Sequence, residues 1–308
     1  MSFAKTVKKE LITIPVELNE QLAEFAAFLH LNSELQIKSD GKSINFKTNN
    51  PAVARRFLQL IRTLYQSETS LIKQKRTALN QRYTIIIQIH TKIEDIISEH
   101  GFLEDSNAQL ELLTRSAEAK KAYLRAAFLA VGSVNHPKTA EYHLELSTFN
   151  PEQIVFLQAL MNDFDLNAKV TKRRKHFLVY LKDANNISDF IQLIGAQNAV
   201  FAFEDLRIKR DFNNSINRVI NCEIANEKKI MMAADEQLKD IALIEDHRIT
   251  IDDKTKEAIE LRKENPEASL RELVEIFEET YNEKISRSGL NHRFNKIKQL
   301  AKLIRGES

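Results

Sequence analysis

The sequence is short of the residues that mark several classes of protein. It holds one cysteine, Cys222, so no internal disulfide can form, and the chain suits a reducing compartment. Its six glycines are scattered, and none builds a loop that would cradle phosphate. No apolar run approaches the ~18 residues of a membrane span, and residues 2–11 are too charged for a signal peptide. We therefore expect a cytosolic protein without membrane contact.

The chain also lacks a strong net charge. Its 45 Lys and Arg residues against 43 Asp and Glu residues leave a formal charge of +2. Binding to nucleic acid would then depend on local basic patches rather than on a global field. A hydrophobic content of 43% is sufficient for folded domains with buried hydrophobic cores. The length of 308 residues predicts about two domains.

Residue types that bind metals or act as nucleophiles show no useful spacing. The eight histidines are scattered, with no pair at the spacing of metal ligands. Cys222 lies in an apolar helical pattern without a histidine close in sequence, which indicates a packing position. We therefore predict no catalytic residue, no metal and no cofactor.

A repeat organises the first two thirds of the chain. Ala-Ala-Phe-Leu at 26–29 recurs at 126–129, each time near the end of an alanine-rich helical pattern. Each copy is followed by strand segments in which apolar and polar residues alternate. A helix that begins at Asn-Pro comes next, at 50–51 and at 150–151. Two further strands and a short helix complete each copy. This order predicts a duplicated αββαββ unit.

Composition suggests where the repeats end. A polar stretch joins the two copies, and residues 205–244 contain no glycine or proline, which predicts one long helix or two in series. The predicted divisions are a first repeat with an N-terminal helix at 1–101, a linker at 102–116, a second repeat at 117–197, a helical connector at 198–248 and a helical domain at 249–308.

The C-terminal segment has the pattern of a helix-turn-helix at about 268–301. A capping box at 269–272 opens one helix, and Ser286 is a good N-cap for the last one. Along that last helix, Leu290, Phe294 and Ile297 recur at three- and four-residue spacing and should face a core. In a helix-turn-helix, the second helix enters the major groove of DNA.

The opposite side of this helix carries the candidate DNA contacts. Arginine can bind guanine with two hydrogen bonds, and asparagine can do the same with adenine. Residues 284–305 also hold seven basic residues and no acidic one. A solvated basic face on a helix bundle is the alternative, but a cluster in a chain of balanced charge favours DNA. The predicted contacts are Ser286, Arg287, Ser288, Asn291, His292, Arg293, Asn295, Lys296 and Lys298.

Two levels of resemblance follow from these motifs. The paired Ala-Ala-Phe-Leu helices, each leading into ββαββ, resemble the LAGLIDADG homing-endonuclease fold. The whole chain resembles the bacterial WhiA family of regulators, and segments 123–134, 142–146, 217–226 and 285–293 carry the match. The resemblance implies an α+β fold, in which a duplicated LAGLIDADG-like saddle is followed by an all-α helix-turn-helix domain. It also implies a nucleoid-associated transcription regulator linked to sporulation, cell division or chromosome segregation.

The resemblance also implies that nuclease activity has been lost. In LAGLIDADG nucleases, an acidic residue near the end of each motif helix holds divalent metal. Leu31 and Val131 stand at those places here, and neither side chain can bind a metal ion. We therefore predict a non-catalytic, sequence-specific regulator of transcription. The alternatives are a residual endonuclease and a division-linked nucleoid adaptor with weak DNA specificity.

The saddle carries basic residues that could add secondary contacts to DNA. Lys73, Lys75 and Arg76 in the first repeat correspond by position to basic residues in the second. Matching basic strands could follow a phosphate backbone, although they could equally keep exposed strands from pairing edge to edge. Double-stranded DNA is the expected partner; another transcription regulator or RNA polymerase is a further candidate, and the oligomeric state stays open. The corresponding residues of the second repeat are Lys172, Arg173, Arg174 and Lys175.

Overall fold

The computed structural model describes residues 2–39, 41–75, 83–103, 108–139 and 141–306. An N-terminal helix, α1 (Phe3–Leu11), comes first. The first repeat comprises α2 (Leu18–Asn32), β1 (Ser33–Lys38), β2 (Gly41–Thr48), α3 (Pro51–Tyr65), β3 (Thr69–Lys75), β4 (Tyr83–Ile89) and α4 (Ile93–His100). After α5 (Ala108–Leu113), the second repeat comprises α6 (Ala117–Val131), β5 (Gly132–Val134), β6 (Leu144–Thr148), α7 (Pro151–Asn162), β7 (Lys169–Arg173), β8 (His176–Leu181) and α8 (Ala184–Leu193).

The two repeats have the same sheet topology. The strands are antiparallel and lie in the orders β1-β2-β4-β3 and β5-β6-β8-β7. The helix within each repeat begins where the sequence predicts. The side chain of Asn50 accepts a hydrogen bond from the Ala52 N–H at 3.0 Å, and that of Asn150 accepts one from the Glu152 N–H at 2.9 Å. The predicted α+β duplication is confirmed.

Small side chains allow the two motif helices to pack closely. The pairing of α2 with α6 is the most extensive contact between any two described elements. Alanine removes bulk from the facing surfaces, so each helix can approach the backbone of the other. The alanines buried in these two helices are Ala23, Ala26 and Ala27 on α2, and Ala119, Ala122, Ala126 and Ala127 on α6.

A buried charge network joins the two repeats beside these alanines. Glu24 of α2 is 0% exposed and accepts hydrogen bonds from Arg56 Nε and Arg125 Nη1, each at 2.9 Å. Arg125 also donates from Nε to the Ile194 carbonyl oxygen at 2.8 Å. Burial raises the pKa of Glu24, and the two guanidinium groups oppose that shift. One carboxylate therefore connects α3 of the first repeat with α6 of the second.

The segment predicted as a linker contains structure of its own. The helix α5 lies inside it, with Leu110 1% exposed, and Phe102 is also in the core at 4% exposure. A six-residue helix is too short to show a periodic pattern in the sequence. The predicted boundaries of the divisions stay predictions.

The chain divides into two compact units, Met1–Arg210 and Asp211–Ser308. A single helix, α9 (Gln197–Asp246), contributes residues to both units. Cys222, predicted as a packing residue, is exposed, because it lies on a stretch of α9 whose side chains are mostly exposed. None of the described helices is both long and apolar enough to span a membrane.

The second unit has a small core of its own. It is built by the end of α9 and by α10 (Asp253–Glu264), α11 (Leu270–Tyr281) and α12 (Arg287–Arg305). The capping box is present, because Ser269 Oγ accepts from the Glu272 N–H at 3.2 Å while Glu272 accepts from the Ser269 N–H at 2.6 Å. The apolar side of α12 is buried as predicted, with Leu290, Phe294 and Ile297 at or below 3% exposure.

Candidate nucleic-acid interface

The start of α12, the last helix, is fixed by a turn and an N-cap. Asn282 ends α11 in the left-handed conformation, with φ of 49°, which turns the chain away from the helix axis. Ser286 then caps α12, and its Oγ accepts a hydrogen bond from the Gly289 N–H at 3.0 Å. Ser286 therefore has a structural role as the N-cap of the candidate recognition helix.

The outward side of α12 presents a continuous polar strip. Ser288, Asn291, His292 and Asn295 are exposed, as the sequence predicts. Gln299 and Lys302 continue the strip and were missed by the sequence prediction. Their positions follow Asn295 by four and seven residues, so the helical repeat alone could have identified them. We refer to these six residues as the outward strip.

Arg293, predicted as a DNA contact, lies on the inner flank of α12. Its Nη1 donates to Glu257 Oε2 at 2.7 Å and to the Lys254 carbonyl oxygen at 3.1 Å. The guanidinium carbon also lies 4.9 Å from the centre of the Phe277 ring, and the side chain is 13% exposed. Arg293 therefore joins α12 to α10 and α11, and it could reach a base only by giving up these contacts.

Three further basic residues of α12 are paired with carboxylates. Lys296 is bonded to Asp252, the N-cap of α10, and this hydrogen bond holds the pKa of Asp252 below its usual range. Lys298 lies 3.4 Å from Glu236, and Arg305 lies 2.6 Å from Asp240. Among the described residues, Lys284, Arg287 and Lys302 of this segment form no ion pair. The basic charge available to phosphate is thus smaller than the sequence suggests.

Replacing Arg293 with alanine should destabilise the second unit by about 1–3 kcal/mol, because Glu257 loses a partner in a mostly buried setting. Amide hydrogen exchange of the full-length chain should show faster exchange in α10, α11 and α12. Arg287→Ala is the control, since Arg287 is exposed and unpaired. Unchanged exchange in Arg293→Ala together with weaker DNA binding would instead place Arg293 at the DNA.

The strand register divides the basic residues of the saddle between two faces. Directly opposed residues of an antiparallel pair point to the same face. Lys73 is opposed to Ile85, whose side chain packs into the core, so Lys73 is on the helix-covered side. Arg173 is opposed to His176 and lies on the other, polar side. Lys75 shares the face of Lys73.

The remaining predicted saddle residues are also dispersed. The Lys172 ammonium lies 5.1 Å from the centre of the Phe177 ring, on the core side of its sheet. Arg174, with φ of 57°, and Lys175 form the turn between β7 and β8 rather than strand positions. Arg76 lies outside the described residues. The described members of this set therefore do not form one matched basic surface across both sheets.

The polar face of the first sheet carries hydrogen-bonded amides. Asn45 Nδ2 donates to Gln36 Oε1 at 3.0 Å, and Gln88 Nε2 donates to Asn45 Oδ1 at 3.0 Å. Lys47 on the same face is paired with Glu34. This surface can offer hydrogen bonds but little net charge.

The ends of the motif helices contain no acid at the expected positions. Leu31 and Val131 stand there, each partly buried. Beside them, Asn32 Nδ2 donates to the Lys47 carbonyl oxygen at 3.1 Å and to the Ala130 carbonyl oxygen at 3.4 Å. Within the parts of the chain that the structure describes, no group of three or more potential metal ligands occurs.

Comparisons with known proteins agree with the order of the two repeats and the helical C-terminal domain. The WhiA N-terminal LAGLIDADG-like domain matches residues 18–103, the WhiA LAGLIDADG-like domain matches 120–213, and the WhiA C-terminal HTH domain matches 216–301. The "Probable cell division protein WhiA" of Lactobacillus johnsonii is 40% identical over all of both chains. The chain belongs to the WhiA family. The protein of the same name from Staphylococcus carnosus is 40% identical over 99% of this chain and 98% of its own.

A solved WhiA structure supports the fold. The crystal structure of full-length DUF199/WhiA from Thermatoga maritima matches with a TM-score of 0.60 and 24% identity, over 98% of this chain and 99% of that one. The predicted family and fold class are confirmed. The matched WhiA HTH region includes α10, α11 and α12 as far as residue 301, so the outward strip from Ser288 to Gln299 belongs to a helix-turn-helix domain.

Proposed function

We propose that this WhiA family member binds double-stranded DNA through α12, reads its sequence and regulates transcription without catalysing a reaction. The observation that carries the proposal is the outward strip, an exposed polar surface on the last helix of a helix-turn-helix domain. Relatives named "Probable cell division protein WhiA" support a role in cell division. Nucleoid association, chromosome segregation and sporulation control belong to the same proposal, as does contact with another regulator or RNA polymerase.

The chemistry of the strip suits direct reading of bases. Asn291, Asn295 and Gln299 each carry an amide that can pair with adenine through two hydrogen bonds. Ser288 and His292 can reach a base edge or a phosphate. Lys284 and Arg287 beside the strip and Lys302 within it form no ion pair with any described residue, and they are the proposed phosphate contacts.

Alanine substitutions in the strip should test this reading. A duplex is first selected from a random library with the full-length chain, and its affinity is then measured by fluorescence anisotropy. Asn291→Ala and Asn295→Ala should each weaken binding by about 1–3 kcal/mol, or roughly 5- to 150-fold, because a buried base edge loses its partner. Loss of discrimination at one or two base pairs should accompany each change.

Asn217→Ala is the matched control, since Asn217 is an exposed asparagine on α9 outside the strip. Lys302→Ala should weaken binding to all sequences and reduce the salt dependence by about one phosphate contact. If Asn291→Ala and Asn295→Ala bind like the control, α12 does not read the bases. Equal affinity for selected and scrambled duplexes would favour the nucleoid adaptor.

The absence of catalysis rests on Leu31 and Val131 at the two motif positions, since neither can hold a metal ion. Incubation of the selected duplex with the protein and magnesium should leave both strands intact, and cleavage would favour the endonuclease alternative. In the saddle, Arg173 on the polar face is the strongest candidate for a secondary phosphate contact; Lys73, Lys75 and Lys172 lie on the opposite faces of their sheets.

A further inference from the structure

A basic cavity lies within the first unit. It is bounded by α1, by the N-terminal end of α3 and by the ends of β2 and β3, and its volume is about 1240 Å³. No aspartate or glutamate is among the described residues that line it. Its basic lining residues are Lys5, Lys8, Lys9, Lys47, Arg55 and Lys75.

Most of this charge has no carboxylate partner. Lys47 is paired with Glu34, but the five other cations form no ion pair among the described residues. Like charges gathered around one space repel each other, and the repulsion is relieved when an anion enters. The cavity is therefore arranged to accept negative charge.

Lys8 is the most informative of these residues. It is partly buried, and its ammonium lies 5.5 Å from the centre of the Phe128 ring. Burial lowers the pKa of Lys8 to about 8, which still leaves the group mostly protonated at neutral pH. Desolvation of a charged lysine without a nearby carboxylate is unfavourable, and a bound anion would offset this free-energy cost.

Other groups in the wall suit a larger ligand than a simple ion. The N-terminal end of α3, at Pro51 and Ala52, contributes the positive end of a helix dipole. Asn32 and Gln74 supply amides that can hydrogen-bond a heterocycle. The centre of the Phe149 ring lies 4.0 Å from the centre of the His176 ring, yet Phe149 is 66% exposed. Its ring can therefore stack on a base.

We propose that this cavity binds a nucleoside di- or triphosphate, with its phosphates at Lys8 and Arg55 and its base near Phe149. The volume exceeds the ~300–1,000 Å³ of most small-molecule sites, so the whole ligand can be accommodated. A DNA duplex presents its phosphates on a convex backbone. A flexible phosphate chain is better suited to reach a recessed ammonium such as that of Lys8.

Isothermal titration of the full-length chain tests this site. The probes are ATP, GTP, pyrophosphate and adenosine, without added metal. We expect saturable binding of ATP or GTP, weaker binding of pyrophosphate, and none of adenosine. Lys8→Met and Arg55→Met should weaken nucleotide binding at least tenfold, while Lys8→Arg should retain it within about threefold.

Lys73→Met is the matched control, because Lys73 is an exposed lysine of β3 that does not line the cavity. Circular dichroism of each variant verifies folding. Should Lys8→Met not fold, exposed Arg55 provides the decisive substitution. The proposal is overturned if no probe binds at millimolar concentration, or if the two lining variants bind nucleotide as well as Lys73→Met does. It is also overturned if these variants weaken only duplex binding, which would make the cavity a DNA-backbone site.

Discussion

Replacing Glu24 with alanine should lower the free energy of unfolding of the first unit by about 3–5 kcal/mol. The substitution leaves Arg56 and Arg125, 5% and 6% exposed, facing each other without their shared carboxylate. The loss concerns both repeats, because the network joins α2 and α3 to α6. Scanning calorimetry of the full-length chain would measure the change, and hydrogen exchange would localise it to these helices.

A surface ion pair is the appropriate control for this experiment. Glu34 and Lys47 are paired in the same repeat, but their side chains are 54% and 44% exposed. Glu34→Ala should therefore change stability by no more than about 1 kcal/mol. A further variant, Glu24→Gln, keeps one acceptor and should fall between the two. If Glu24→Ala is as stable as Glu34→Ala, the arginines have found other acceptors and the network is not essential to the fold.

The second large effect is expected in the C-terminal unit. Arg262→Ala should lower its stability by about 3 kcal/mol, because several buried groups lose the same donor. Arg262 is 2% exposed and donates from Nε to Gln237 Oε1 at 2.9 Å and from Nη1 to the Ala268 carbonyl oxygen at 2.6 Å. Its guanidinium carbon also lies 5.5 Å from the centre of the Phe294 ring. This side chain therefore ties α9, α10 and the turn before α11 to the core under α12.

Hydrogen exchange in α10, α11 and α12 would measure the loss in Arg262→Ala. Arg271→Ala is the control, since the Arg271 side chain is 86% exposed and, among the described residues, forms an ion pair with Glu275 alone. DNA binding should weaken along with stability in Arg262→Ala, and recover when the temperature is lowered. Exchange equal to that of Arg271→Ala would contradict the proposed role of Arg262.

Structural features that depend on residues close together in the sequence could be predicted well. The Asn-Pro starts of α3 and α7, the Ser269 capping box and the apolar side of α12 depend on residues within one or two turns. The duplication was visible for a similar reason, because each copy repeats the same local signals. Local rules of capping and periodicity therefore account for most of the secondary structure.

The basic residues of α12 show where sequence reasoning stops. Their partners lie far away along the chain: Lys296 and Asp252 are 44 residues apart, Lys298 and Glu236 are 62 apart. Only the packing of α9 and α10 against α12 brings these carboxylates near. A count of charges within the helix therefore overestimated what is available to DNA.

Strand register and the cavity were beyond prediction for the same reason. Whether Lys73 or Arg173 faces the core depends on its opposite residue in the neighbouring strand. From the sequence alone, the lysines of α1 are expected on the exposed side of an amphipathic helix. Only the tertiary fold brings Lys8 and Arg55 together in the lining of the cavity. Tertiary pairing, not local pattern, decides these features.

The two sheets share one topology but have diverged in surface chemistry. The first presents the hydrogen-bonded amides of Asn45 and Gln88 on its polar face, whereas the second presents Arg173 and Tyr180. Since both copies are in one polypeptide, each half could change without altering the other. A ligand that spans both sheets would therefore meet different chemical groups on each, and a duplex bound there would not need a palindromic sequence.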